Sequence, residues 1–353
     1  MGLFYKIKST FLFFAVSGTL MAQDVHYSMF DMAPLNLNPA MTGAYEGTFR
    51  IGGIYRDQWT GIGKVNGYRT PSLFIDAPLP FKAFGKNDWF AAGLNIFQDK
   101  RGTLSLTETT PSLSLAYHTP LTRSRKVYLA LGVQGGFVNN RLDRTGALGQ
   151  DGILSSTGTG TNDPSLIRDD ISSSYPDFGA GILLNFILSQ KFNFNLGFSS
   201  RHLLEPEDKF TAKNYNRART FLGNIGFNID LTRKLTFMPQ AMFAYNSSAN
   251  QLNAQALLGY HLNSARDITF VFGGGVRHHI FGDGTQVETG ISAAIARIGL
   301  NYKNIKAGLA YDFVTNSLSG APGRRDAIEL AVIYTGKILP KKYLPPRILC
   351  PRF

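Results

Sequence analysis

Six histidines, one cysteine and a modest set of acidic residues limit the chemistry open to this 353-residue chain. His278 and His279 are adjacent, so on an extended strand they point to opposite faces and cannot share one metal ion. The lone Cys350 excludes an internal disulfide framework and any multi-cysteine metal site. Serines are plentiful, yet no Ser, His and acid set stands in a recognisable catalytic motif, and Asp283-Gly284 after Gly282 reads as a tight turn. The expectation is therefore no catalytic centre, no metal and no cofactor, with a membrane-embedded hydrolase as the enzymatic alternative. What remains is electrostatic. Asp76, Lys306, Asp312 and Glu329 each sit among small or polar neighbours on one face of an alternating stretch. Such charges can line a channel or pair with one another, and a satisfied network is the reading favoured here.

The stretches that must position these charges share one pattern. Phe192, Phe194, Leu196 and Phe198 alternate with Asn193, Asn195, Gly197 and Ser199; Ile328, Leu330, Val332 and Tyr334 alternate with Ala327, Glu329, Ala331 and Ile333. A period of two is a strand with one apolar and one polar face. With 37 glycines, 12% aromatic and 17% charged residues, the composition suits short strands and turns. From Gly47 onward the chain divides into about fourteen such segments: 47–59, 69–78, 88–98, 106–118, 126–141, 175–188, 191–202, 218–230, 234–245, 252–262, 267–281, 285–302, 305–315 and 325–336. Ten residues is about what a tilted strand needs to cross a bilayer.

Connections alternate too. Every second one is short, such as 189–190 and 303–304, whereas the other set includes the long Gly/Ser/Thr-rich 142–174, 203–217 and 316–324. Short turns on one side and long loops on the other mark a transmembrane barrel, and closure is what leaves no unpaired backbone in lipid. The expected fold is thus an all-β antiparallel transmembrane barrel of about fourteen strands, with the Phe face of 192–198 in lipid; a soluble β-sandwich is the alternative. Pro239 inside a strand predicts a bulge or break there.

The ends lie outside this pattern. Lys6 and Lys8 before the apolar run Phe11 to Val16 read residues 1–22 as a secretory signal peptide. Residues 23–46 form an N-terminal periplasmic or plug segment, 47–336 the barrel and 337–353 a basic, proline-rich periplasmic tail. An even strand number places both termini on the periplasmic side of the outer membrane. The net charge of +12 is scattered over turns and not gathered with aromatics in one patch, which argues against nucleic acid as a partner.

Four elements together resemble one family, the PorP/SprF outer-membrane proteins of the type IX secretion system of Bacteroidetes. After Gln23-Asp24, Leu37-Asn38-Pro39-Ala40-Met41-Thr42-Gly43 is similar to the family's N-terminal "NPA..G" element. Tyr55-Arg56-Asp57-Gln58-Trp59 is similar to its "YR.QW" element. Gly93-Leu94-Asn95 with Asp99 and Gly102, and Tyr175-Pro176-Asp177-Phe178 with Gly181, fit its internal strand motifs, and Cys350-Pro351-Arg352-Phe353 matches a terminus many members carry. The resemblance implies a non-enzymatic barrel working beside the translocon. Its expected partners are type IX secretion components and secreted cargo bearing a C-terminal signal domain, large adhesins among them, with outer-membrane lipid around it and no small-molecule substrate. A passive porin is the rival function. On the residues themselves, Asn38 before Pro39 and Ala40 favours a turn that Gly43 completes with positive φ, and partner contact there is secondary. Trp59 is expected at the interfacial belt and Arg56, if inward, in an ion pair within the lumen.

Overall fold

A computed structural model describes residues 27–59, 67–79, 88–102, 106–142, 171–208, 215–246, 249–262, 267–282, 287–315 and 326–338. The signal-peptide reading, the 339–353 stretch with Cys350, Pro351, Arg352 and Phe353, and most of the 142–174 connection lie outside the described residues.

Fourteen strands close into one antiparallel barrel: β1 (Phe49–Gln58), β2 (Tyr68–Pro78), β3 (Trp89–Arg101), β4 (Leu106–Pro120), β5 (Val127–Leu142), β6 (Ile171–Ile187), β7 (Phe192–Arg201), β10 (Thr220–Asp230), β11 (Leu235–Asn246), β12 (Ala249–His261), β13 (Ile268–Gly282), β14 (Val287–Tyr302), β15 (Ile305–Val314) and β16 (Ala327–Gly336). β1 pairs with β16 from Phe49↔Gly336 to Gln58↔Ala327, which removes the sheet edges. A two-stranded ribbon, β8 (Glu207–Asp208) with β9 (Tyr215–Asn216), stands apart in the connection after β7.

The side chains sort as the alternation requires. Glu329, Ala331 and Ile333 are buried inside, while Leu330 is 55% and Phe198 54% exposed on the outer wall. Exposed leucine, isoleucine, phenylalanine and valine ring the barrel on β2, β3, β5, β7, β14 and β16 alike. So large an apolar surface on every side is a lipid-facing wall and not a patch for one partner. Among the described residues no helix is long and apolar enough to cross a membrane.

Two local details differ from expectation. Pro239 does not break β11 or shift its register: it pairs with Ala256 of β12, and only the ladder to β10 lapses, between Gly226↔Gln240 and Ile229↔Phe237. Proline lacks the N–H that would face β10, so the defect stays on that side. The register shift found in β13 against β14 lies instead between Arg277 and His278, where Ser292 is the extra residue.

Residues 27–45 lie among the inward-facing side chains of the barrel. A 3-10 turn, Phe30–Met32, leads into one turn of helix, α1 (Pro34–Leu37), and a second 3-10 turn, Pro39–Met41. Tyr27, Met29, Met32, Leu35, Ala40 and Tyr45 are all buried. Phe49 and Gly336 share one end of the barrel, as an even strand count demands. Tyr27 does not join them. Its hydroxyl donates to the Thr70 carbonyl near the start of β2, at the opposite end. The parity argument counted strands alone; the described chain before β1 runs the length of the lumen, and the termini themselves lie outside the described residues.

Candidate functional site

The site grows out of one physical problem. A segment without ladder partners sits at the depth of the strands, so the backbone groups that its own short turns leave unmet need bonds from the wall. Charged residues supply the strongest of these. Arg56 of β1, Asp312 of β15 and Glu329 of β16 each lie two residues inside the strand end that faces the longer connections. Alternation turns all three inward, where their side chains are 4%, 2% and 1% exposed.

There they meet Ser28 and Met29. The Glu329 carboxylate accepts from the Ser28 amide at 2.7 Å and the Met29 amide at 2.8 Å, and pairs closely with Arg56. Ser28 Oγ donates to Asp312 at 2.7 Å, while Arg56 and Arg277 each approach Asp312 at 2.9 Å. Arg277 also contacts Ser28 Oγ, and the side chains of Asn253 and Gln255 donate to the Ser28 carbonyl. Two guanidinium groups and two carboxylates balance in charge. Such a buried set is costly to desolvate, and its worth lies in fixing one arrangement, because losing one member leaves the others uncompensated.

A second pair sits lower. Asp31 Oδ2 accepts from Arg297 at 2.6 Å, and Gln240 donates to Asp31 at 3.2 Å. Near the end where β1 begins, the Asp76 carboxylate takes bonds from Arg50 and from the Gly43 amide at 2.7 Å. The Tyr45 hydroxyl donates to the Asp76 carbonyl at 2.6 Å, and Thr42 bonds through its carbonyl to His118 Nε2 at 2.7 Å.

The Asn38-Pro39-Ala40 turn is held by shape as well as by polarity. Asn38 Oδ1 accepts from the Ala40 amide at 2.9 Å, capping the Pro39–Met41 turn, while Nδ2 reaches the Ile182 carbonyl at 3.0 Å and the Phe198 carbonyl at 3.3 Å. The wall opposite is cut back to receive it. A Cβ on Gly132 of β5 would overlap the Ala40 amide, and one on Gly181 of β6 would overlap Asn38 Oδ1. Gly43 takes φ +68°, the positive value anticipated for this turn. A cavity of about 60 Å³ beside Phe30, Met41, Leu183 and Gln240 leaves room for only a few waters.

The remaining sequence candidates are dispersed. Tyr55 faces outward, and its hydroxyl reaches Asp57 at 3.4 Å. Trp59 is half-buried just past β1, edge-on to Tyr68 at 4.8 Å. Tyr175 is buried inside β6, and Asp177 Oδ1 lies 3.0 Å from His202 Nδ1. Lys306 lines the small cavity. Sequence reading missed Ser28, Asp31, Arg50, Arg277 and Arg297. The two β1 arginines share one face with Gly52 and Ile54, so Arg50 was within reach of the same period-two argument that flagged Arg56.

Closed, apolar outside and charged within, the molecule is a transmembrane β-barrel. The family model described as "Type IX secretion system membrane protein PorP/SprF" matches residues 19–334, and the chain belongs to that family. No curated protein matches. Among solved structures, the chain is similar to the Ralstonia pickettii toluene transporter TbuX at 11% identity, covering 86% of this chain and 93% of that one with a TM-score of 0.47. It is also similar to a Pseudomonas aeruginosa FadL homologue at 12% identity, covering 84% and 92% with a TM-score of 0.48. CdiB from Escherichia coli stands at 10% identity, 80% and 62% coverage and a TM-score of 0.45.

Proposed function

We propose that this barrel is a non-enzymatic outer-membrane accessory of type IX secretion, assisting export or surface attachment of cargo with a C-terminal signal domain, such as large adhesins. Residues 27–45 act in it as a plug. Family membership over residues 19–334 supports the secretion role. The observation that carries the accessory reading over a porin is the lumen: among the described residues, charge pairs near both its ends are spent on holding the chain's own segment. The long connections face the cell exterior in this reading, where cargo emerges, and the short turns face periplasmic machinery.

A deletion strain tests the role. Loss of surface display of signal-domain adhesins, restored by the wild-type gene, is the expected result. Normal secretion and normal display of every such adhesin in the deletion strain would remove the proposal.

A further inference from the structure

We infer that the mature chain threads its own barrel, so that its N-terminus is displayed at the mouth carrying the long connections while its C-terminus leaves from the opposite end. Reading that mouth as the cell exterior rests on the outer-membrane placement proposed above; the threading itself does not.

The contacts of the segment fall in order along the barrel. Tyr27 bonds to Thr70, and Ser28 and Met29 to Glu329, all near the ends of strands that meet the connections 59–67 and 315–326. Asn36 then meets Ser72 and Asn95, and Asn38 meets the Ile182 and Phe198 carbonyls in mid-wall. Thr42 meets His118, Gly43 meets Asp76, and Thr48 donates to the Gly336 carbonyl at 2.7 Å, all at the end of the short connections. The fourteen strands return the chain to the side from which Phe49 starts, so this segment is a fifteenth crossing.

Irregular backbone can occupy that depth because it is enclosed by protein and its donors are met by side chains. Glu329 takes the amides of Ser28 and Met29, Asn38 takes that of Ala40, and Asp76 takes that of Gly43. If the leader is removed after Ala22, Gln23 to His26 precede Tyr27 with a full extension of about 14 Å, so the amino terminus stays within that distance of the Tyr27 end of the lumen. Two consequences follow. A partner bound at the cell surface meets this short arm beside the long connections, and the barrel closes around its own N-terminal segment as it folds.

Single-cysteine labelling reads the geometry. In a Cys350→Ser background, Gln23→Cys and Asp24→Cys are compared with two rulers, Leu204→Cys, 71% exposed in the wild type and in the 202–219 connection, and Arg233→Cys, in the short 231–234 turn. Intact cells are treated with a membrane-impermeant maleimide and compared with lysed cells. The expected result is that positions 23 and 24 label with Leu204→Cys in intact cells, while Arg233→Cys needs lysis. Labelling that follows Arg233→Cys overturns the inference. Should the two rulers label alike, the placement has failed and threading is read in detergent by energy transfer. A dye at position 24 nearer to one at 204 than to one at 233 upholds it, and the reverse order overturns it.

Discussion

Glu329→Ala removes the acceptor on which the start of the segment depends. Two amides, those of Ser28 and Met29, lose carboxylate partners at 2.7 and 2.8 Å in a site where Glu329 is 1% exposed. A hydrogen bond to a charged group contributes about 1.5–3 kcal/mol, and an abandoned buried donor costs its desolvation in full. Arg56 also loses a partner but keeps Asp312 at 2.9 Å, so its charge is not stranded. The sum is about 4 kcal/mol, in the range of about 3–5 kcal/mol typical of breaking a buried ion pair. At 1.4 kcal/mol per tenfold, the docked-to-undocked ratio falls by about a thousandfold. Hydrogen exchange followed by mass spectrometry on the protein in nanodiscs reads this directly. Peptides covering residues 27–45 should exchange about a thousandfold faster in the variant, while strand amides keep their protection. Glu329→Gln retains an acceptor oxygen and should fall between. Wild-type exchange at Ser28 and Met29 in Glu329→Ala would refute the reasoning, as would loss of protection throughout the barrel, which would make Glu329 a residue of the wall and not of the latch.

Gly132→Val places a side chain where the Ala40 amide sits and should destabilise docking of the segment by about 1–3 kcal/mol, seen as faster proteolysis of residues 27–45. Gly223→Val, with open space around the glycine, should cleave at the wild-type rate. Asn38→Leu strips the bonds to the Ile182 and Phe198 carbonyls and the cap on Ala40; the same assay should show a loss of about 1–3 kcal/mol. Leu330→Arg puts a charge on the outer wall of β16 and should lower stability on refolding into lipid vesicles by about 2–4 kcal/mol, measured by urea titration.

The barrel was legible because its signal is local. Each strand announces itself by a period of two within ten residues, and the predicted span 191–202 against the observed Phe192–Arg201 shows how little else was needed. Strand starts drifted where polar residues continue a ladder beyond the apolar run, as in β12, which begins at Ala249 and not at 252. The network was legible only by halves. Asp312 and Glu329 were marked as inward by their neighbours, but the Ser28 amide is 301 residues away in sequence from Glu329, and no spacing rule spans that distance. Gly132 was mute and Gly181 entered only as part of a motif, since a glycine in a strand reads as a turn or a weakness until the Asn38-Pro39-Ala40 turn is seen resting on it. Residues 27–45 carry no repeating pattern because their partners come one or two at a time from many strands.

Planar-bilayer recording on the purified full-length protein, beside a variant lacking residues 24–45, tests most directly whether the lumen is closed by the chain's own segment. The full-length protein should show no steady conductance and the shortened one should open ohmic channels. Steady channels from the full-length protein, equal in size to those of the shortened one, would contradict the account.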